Sequence, residues 1–159
     1  MSTYRQTRNI EASVVDALTA NFNTDWSNIN VEKTFARIYD ISLPSICVRV
    51  GATVHTPVEI GSNATWRKPQ LLIDIFATSD GQKEDLADYI VSKIKNGFAY
   101  YDYITTGKVI DSKTANGRIR VISIDVTPVD FDDDKNQLDV HDRHRALITC
   151  EISLGKVEN

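Results

Sequence analysis

Apolar and polar residues recur along this chain with two different periods, and the switches between them mark out its elements. From Asn9 to Phe22 the apolar positions Ile10, Val14, Leu18 and Phe22 return every fourth residue, with Val15 and Ala17 widening the stripe. That is the period of one helical face, and Glu11, Ser13, Asp16 and Thr19 fall on the opposite, polar side. Asn23-Thr24-Asp25 ends the helix with side chains that compete for backbone hydrogen bonds. Val31–Ile38 alternates weakly until Leu43-Pro44 stops it, since proline brings no N–H to a ladder; an edge strand is expected there. In Ile46-Cys47-Val48-Arg49-Val50 the period drops to two. Ile46, Val48 and Val50 share one face and Cys47 and Arg49 the other, as in a sheet with one buried side. Leu71–Phe76 repeats the pattern, with Asp74 interrupting its second face.

The segment joining those strands, Val54–Lys68, is longer than the roughly 2–5 residues a hairpin loop needs. Pro57, Gly61 and Asn63 punctuate it as turns. Val58, Ile60 and Trp66 are apolar residues on an excursion that should face solvent, and Arg67 follows Trp66 directly. One reading folds the loop back so that Trp66 covers a core edge. The preferred reading is an arm that reaches a neighbouring subunit, where an aromatic anchor has a pocket to fill.

A second helix is predicted over Gln82–Asn96. Ser79 and Gln82 resemble a capping box, with Asp80 as an alternative cap. Glu84 and Asp85 in the first turn and Lys93 and Lys95 in the last match the helix dipole. Leu86, Ile90 and Ile94 form its stripe, and Asn96-Gly97 supplies a left-handed stop. The aromatic group Phe98–Tyr103 then reads as a lid over the helix end. Lys108–Lys113 and Arg118–Thr127 flank Asn116-Gly117, a strong hairpin signal because both residues tolerate positive φ. Ile148, Cys150, Ile152 and Leu154 alternate in a closing strand.

Two helical stripes against four alternating strands predict a single α+β domain over residues 1–159. Hydrophobic content of 42% and charged content of 25% are ordinary for a globular protein. A net charge of −4 and a pI near 5.3 argue against an electrostatic grip on nucleic acid. No apolar run approaches the ~18 residues of a membrane span, and MSTYRQTRNIEAS has no apolar signal core, so synthesis and assembly in the cytoplasm are expected. Cys47 and Cys150 sit mid-strand and are expected to be buried, unpaired thiols.

Reactive groups are scarce. His141 and His144 lie at i, i+3, but ahead of a strand, where the pair would diverge; no metal site is expected. Asp130, Asp132 and Asp134 imitate the start of a calcium loop, yet Lys135 stands where glycine is required and His141 where a bidentate Glu belongs. Residues 130–142 therefore read as an acidic loop, extended by repulsion among Asp130, Asp132, Asp133, Asp134, Asp139 and Asp142. There is no G-x-S-x-G and no phosphate-cradling glycine loop. No catalytic chemistry and no cofactor are expected.

The layout resembles that of the tail terminator proteins of long-tailed bacteriophages and the related tail-completion and head-to-tail joining proteins. The likeness rests on the opening helix Ile10–Phe22 and on the proline-preceded strand Leu43-Pro44-Ser45-Ile46-Cys47-Val48-Arg49-Val50. It continues through the arm 54–68, the strand Leu71–Phe76 and the helix begun at Asp80-Gly81-Gln82-Lys83-Glu84-Asp85-Leu86, and ends on two strands separated by a polar loop. The resemblance implies one mixed or antiparallel sheet with both helices on one face and a long hairpin-like arm. It further implies a homohexameric ring at the head-proximal end of the tail, in the neck of the virion. Such a ring stacks on the tail tube protein, stops tube growth and meets the head completion or connector protein. Genomic DNA would slide through an acidic lumen without specific binding. On this reading Val58, Ile60, Trp66 and Arg67 make inter-subunit or tube contacts, and Asp130, Asp132, Asp133 and Asp134 face the connector or the lumen. The competing class is a small-molecule or protein binding module built on residues 98–103.

Overall fold

The fourfold apolar stripe becomes α1 (Gln6–Asp25), which buries Ile10, Val14, Leu18 and Phe22 completely or nearly so. The computed structural model describes residues 6–33, 35–61, 63–106, 109–131 and 137–154, and the backbone of 157–158. β2 (Ser45–Pro57) and β3 (Thr65–Phe76) pair antiparallel, and β6 (Arg145–Ser153) lies on the other side of β3. β5 (Val109–Val129) pairs with β6, and β4 (Phe98–Thr106) with β5. A short parallel strand, β1 (Asn30–Glu32), edges β2, giving the spatial order β1-β2-β3-β6-β5-β4. β7 (Val157–Glu158) pairs with the first residues of β3.

The fold is thus α+β, with one mixed sheet and two helices on the same face. α1 and α2 (Asp80–Ile94) press their stripes into one cluster with Ile46, Val48, Leu71, Ile73, Ile75, Ile148, Cys150 and Ile152. Each such aliphatic side chain contributes on the order of 1.5–3 kcal/mol when fully buried. The sheet curls into a half-barrel whose two ends, β1–β2 and β4, both meet α1. Between the helices Tyr89 packs at a tilt on Phe22 and edge-on to Trp26, and its hydroxyl donates to Asp25 at 2.7 Å. Among the described residues no helix is long and apolar enough to cross a membrane.

The caps of α2 follow the sequence closely. Ser79 Oγ accepts from the Gln82 N–H at 3.2 Å, while Gln82 Oε1 reaches back to the N–H of Thr78 at 2.8 Å. At the other end Gly97 takes φ 83° and donates its N–H to the Ile94 carbonyl at 2.8 Å.

Several expectations are corrected. Asn116-Gly117 is no hairpin turn: β5 runs unbroken through it, and the chain reverses between Thr106 and Val109. The positive φ of Gly117, 99°, serves a β-bulge instead, where the register slips between Ala99↔Arg118 and Tyr101↔Ala115. Asn116 completes the bulge by donating to Asp102 at 2.7 Å. Phe98–Tyr103 is consequently a strand, with Phe98, Tyr100 and Tyr103 buried, rather than a lid. The edge strand near residue 31 is only three residues long, and Phe35–Asp40 forms a 3-10 turn. That turn lays Ile38 over Cys47 and Phe76 in a second small cluster, so β2 is buried on both faces along Ser45–Val48. Finally, Ser13 on the supposedly polar side of α1 is buried, its Oγ accepting from the Tyr101 N–H at 3.1 Å. Cys47 and Cys150 are buried and unpaired as expected.

Candidate assembly interface

The arm is a β-hairpin. Its ladder runs past the sheet as Val54↔Lys68, His55↔Arg67, Thr56↔Trp66 and Pro57↔Thr65, leaving 58–64 as the tip. Thr, Val and Trp suit such a two-sided ladder, which is how an apparent loop becomes strand. A bulge at Gly51-Ala52, opposite Gln70, bends the hairpin where it leaves the domain.

Alternation along β3 then sorts the candidate residues. Trp66 falls on the face without helices, beside Val54, Thr56 and Lys68. Arg67 falls on the opposite face, and its Nη1 donates to Thr7 Oγ1 on α1 at 3.4 Å. Ile60 at the tip is wholly exposed, Val54 and Val58 are exposed, and Trp66 is 36% exposed. The structure therefore groups Val54 and Trp66 on one face of the arm and Val58 and Ile60 at its tip, and turns Arg67 toward its own helix. At the root of the arm, on the helix-free face, a polar cleft of about 410 Å³ is bounded by Thr56, Lys68, Gln70, Asp125 and Glu151.

Sequence reasoning missed a second projecting hairpin because it misplaced the turn. The β4–β5 end exposes Ile104, Val109 and Ile110, while its base is tied to α1 by the Tyr103 hydroxyl donating to Asp16 at 2.6 Å. β5 also exposes Ile122 and Val126. It pairs with β4 through Val109–Ile119 and with β6 through Arg120–Val129. Among the described residues each half of β5 thus has a strand on one side only.

The acidic loop divides. Asp130 is exposed, whereas Asp132, Asp133 and Asp134 lie outside the described residues. Asp139 and Asp142 are not held extended by repulsion. Asp139 caps a 3-10 turn, Val140–Asp142, accepting from the His141 N–H at 2.9 Å. That backbone bond and a second one from the His141 side chain hold its carboxyl below the usual range. Asp142 accepts from the Tyr39 hydroxyl at 2.8 Å and from Arg145 Nη1 at 3.3 Å. Arg145 in turn stands over Phe76 and 3.6 Å from Asp74, a carboxylate only 2% exposed that Arg49 also contacts at 3.0 Å. The two histidines go separate ways, His141 to Asp139 and His144 to Asp80, each at 2.8 Å.

In the aromatic strand, Phe98, Tyr100 and Tyr103 belong to the interior, and Tyr101 is covered by the Lys113 ammonium 4.5 Å from its centroid. No protein-family model matches the chain, and no curated protein matches it.

Proposed function

We propose that the chain is a structural virion protein that closes into a homohexameric ring at the head-proximal end of a long phage tail. The observation that carries this reading is the arm: a built β-hairpin that holds Val54, Val58, Ile60 and Trp66 in solvent beside a domain whose core is already complete. Apolar residues kept exposed on a rigid projection suit a partner surface better than they suit a monomer. A projecting element that docks on a different patch of the next copy makes a heterologous contact, and such contacts close into rings or run on as filaments. The layout of helix, proline-preceded strand, arm, strand, helix and closing strands supplies the rest by resemblance. The ring caps the tail tube protein, presents its other side to the head completion or connector protein, and passes DNA through an acidic lumen. It performs no catalysis and needs no cofactor. A binding module at residues 98–103 is disfavoured because three of those aromatic side chains are already buried.

Purified protein is examined by light scattering after size exclusion and by negative-stain microscopy, alone and mixed with polymerising tail tube protein. Rings of about six copies, or capped tubes of limited length, are expected. A protein that stays monomeric with tubes present and leaves their length unlimited refutes the reading.

A further inference from the structure

The side chain of His141 is set between two acceptors. Its Nδ1 lies 2.8 Å from Asp139 Oδ1 and its Nε2 lies 2.8 Å from the Ile41 carbonyl oxygen. A neutral imidazole has one N–H and can serve one of them; only the imidazolium donates to both. The side chain is largely buried, at 12% exposure, and its ring lies 5.6 Å from that of Tyr39. Through it the turn 140–142 is fastened to the end of the 35–41 segment, where Ile41 packs against the Ile38, Cys47 and Phe76 cluster. We propose that His141 is a proton-dependent latch, holding the turn 139–142 closed against the 35–41 segment when charged and loosening that turn when neutral.

The surrounding charges favour the closed, protonated form. Asp139 and Asp142 face the imidazole from its own turn, and Tyr39 does so from the 3-10 turn below. Arg143 is turned to the Leu138 carbonyl, and Arg145 is occupied with Asp142 and Asp74, so neither cation is directed at His141. Beyond Arg145 stands Arg49, paired with Asp74. His144 anchors the far end of the segment to Asp80 of α2. Burial pushes the His141 imidazole down, but the Ile41 carbonyl and the Asp139 and Asp142 carboxylates outweigh it, and the balance is upward from the ordinary value. Because the charged form is the one held in the folded state, the latch is complete below the ordinary imidazole value and opens as pH rises through the raised one. The proposal is independent of ring formation.

The test uses the intact protein. The titration of His141 is followed by NMR of its Cε1–H. Exchange is followed at the amides that depend on the closed turn, His141 to Asp139 Oδ1 and Asp142 to the Asp139 carbonyl. Linkage demands that protection, corrected for intrinsic exchange, fall by about tenfold for each unit by which the His141 pKa exceeds its unfolded value. In H141Q the same amides should be less protected and indifferent to pH over that range. In D139N the His141 midpoint should move back toward the ordinary value. A His141 midpoint at or below about 6.5, or amide protection unchanged across its titration, overturns the latch. These wild-type readings decide the matter even if either variant fails to fold.

Discussion

Gly97→Ala is expected to be among the most damaging single-methyl additions this chain can receive, and the reason is a carbonyl rather than a dihedral angle. Gly97 ends α2 at φ 83°, where a side chain costs about 1–2 kcal/mol. A β-carbon built there would also lie 2.3 Å from the carbonyl oxygen of Ile119, far inside contact. That oxygen belongs to the strand backbone beside the Phe98↔Ile119 pair, and both side chains are in the core, so β5 cannot retreat without disturbing it. Forced overpacking of this kind costs roughly 1–3 kcal/mol. The sum, about 2–5 kcal/mol, compares with a total stability of about 5–15 kcal/mol for a natural domain. At about 2–4 °C per kcal/mol for a chain of this size, Tm should fall by about 4–20 °C in thermal unfolding followed by circular dichroism. Gly97→Asn separates the two contributions, since asparagine tolerates the left-handed region but carries the same β-carbon. It should win back no more than the dihedral share, about 1–2 kcal/mol, and keep the cost of the clash. Gly81→Ala is the control: nothing lies within 4 Å of its β-carbon, and alanine in that helix should raise stability by up to about 1 kcal/mol. A Gly97→Asn variant that recovers most of the loss would refute the clash and leave the dihedral as the whole cost.

Trp66→Ala and Ile60→Asp should reduce assembly with little change in the monomer's Tm, because neither residue is in the core clusters. An anchor at the centre of an interface costs about 2 kcal/mol or more when truncated; if Trp66→Ala instead unfolds the monomer, the arm is part of its own domain's packing. The second expectation concerns alkaline pH. Burial lifts the Cys47 thiol to about 11 and the Cys150 thiol to about 12, and burial lifts the Tyr89 and Tyr100 hydroxyls to about 12. All four groups are neutral when protonated and have raised values in the folded state. Their contribution is therefore whole below the unfolded values of about 8.5 for Cys and 10 for Tyr, and it drains away as pH climbs above them. Urea midpoints should step down by the His141 contribution as pH rises through the imidazole range and decline further above about pH 8, and a thiol reagent at pH 8 should modify neither cysteine until the protein unfolds. Rapid labelling of either thiol in the native protein would show that its burial is not maintained in solution.

What could be read from the sequence was what local spacing determines. Each cap of α2 is made between residues three or four apart, so Ser79, Gln82 and Gly97 announce themselves, and the shared faces of Ile46, Val48, Leu71 and Ile73 follow from a two-residue period wherever the strands pair. Asn116-Gly117 misleads because a positive φ serves a turn and a bulge equally well; only the strand lying opposite, Ala99–Tyr101, decides between them. The second cover of Cys47 comes from Ile38, in a turn whose own alternation is weak, and the partners of Asp142 and His141, Tyr39 and Ile41, are about a hundred residues away along the chain. No spacing rule reaches that far. The arm is the instructive middle case. Pro57, Gly61 and Asn63 mark its place but punctuate only the tip, and the hairpin form that the resemblance implies is carried by flanking valine, threonine and tryptophan suited to a ladder. Extending the alternation of Leu71, Ile73 and Ile75 backward puts Arg67 with them on the helix face and Trp66 on the other. Adjacent residues that look like one contact patch in sequence are thereby divided, one toward α1 and one onto the helix-free face. An interface drawn on the arm should accordingly be sought through Val54, Trp66, Val58 and Ile60, with Arg67 left to hold the base of the hairpin in place.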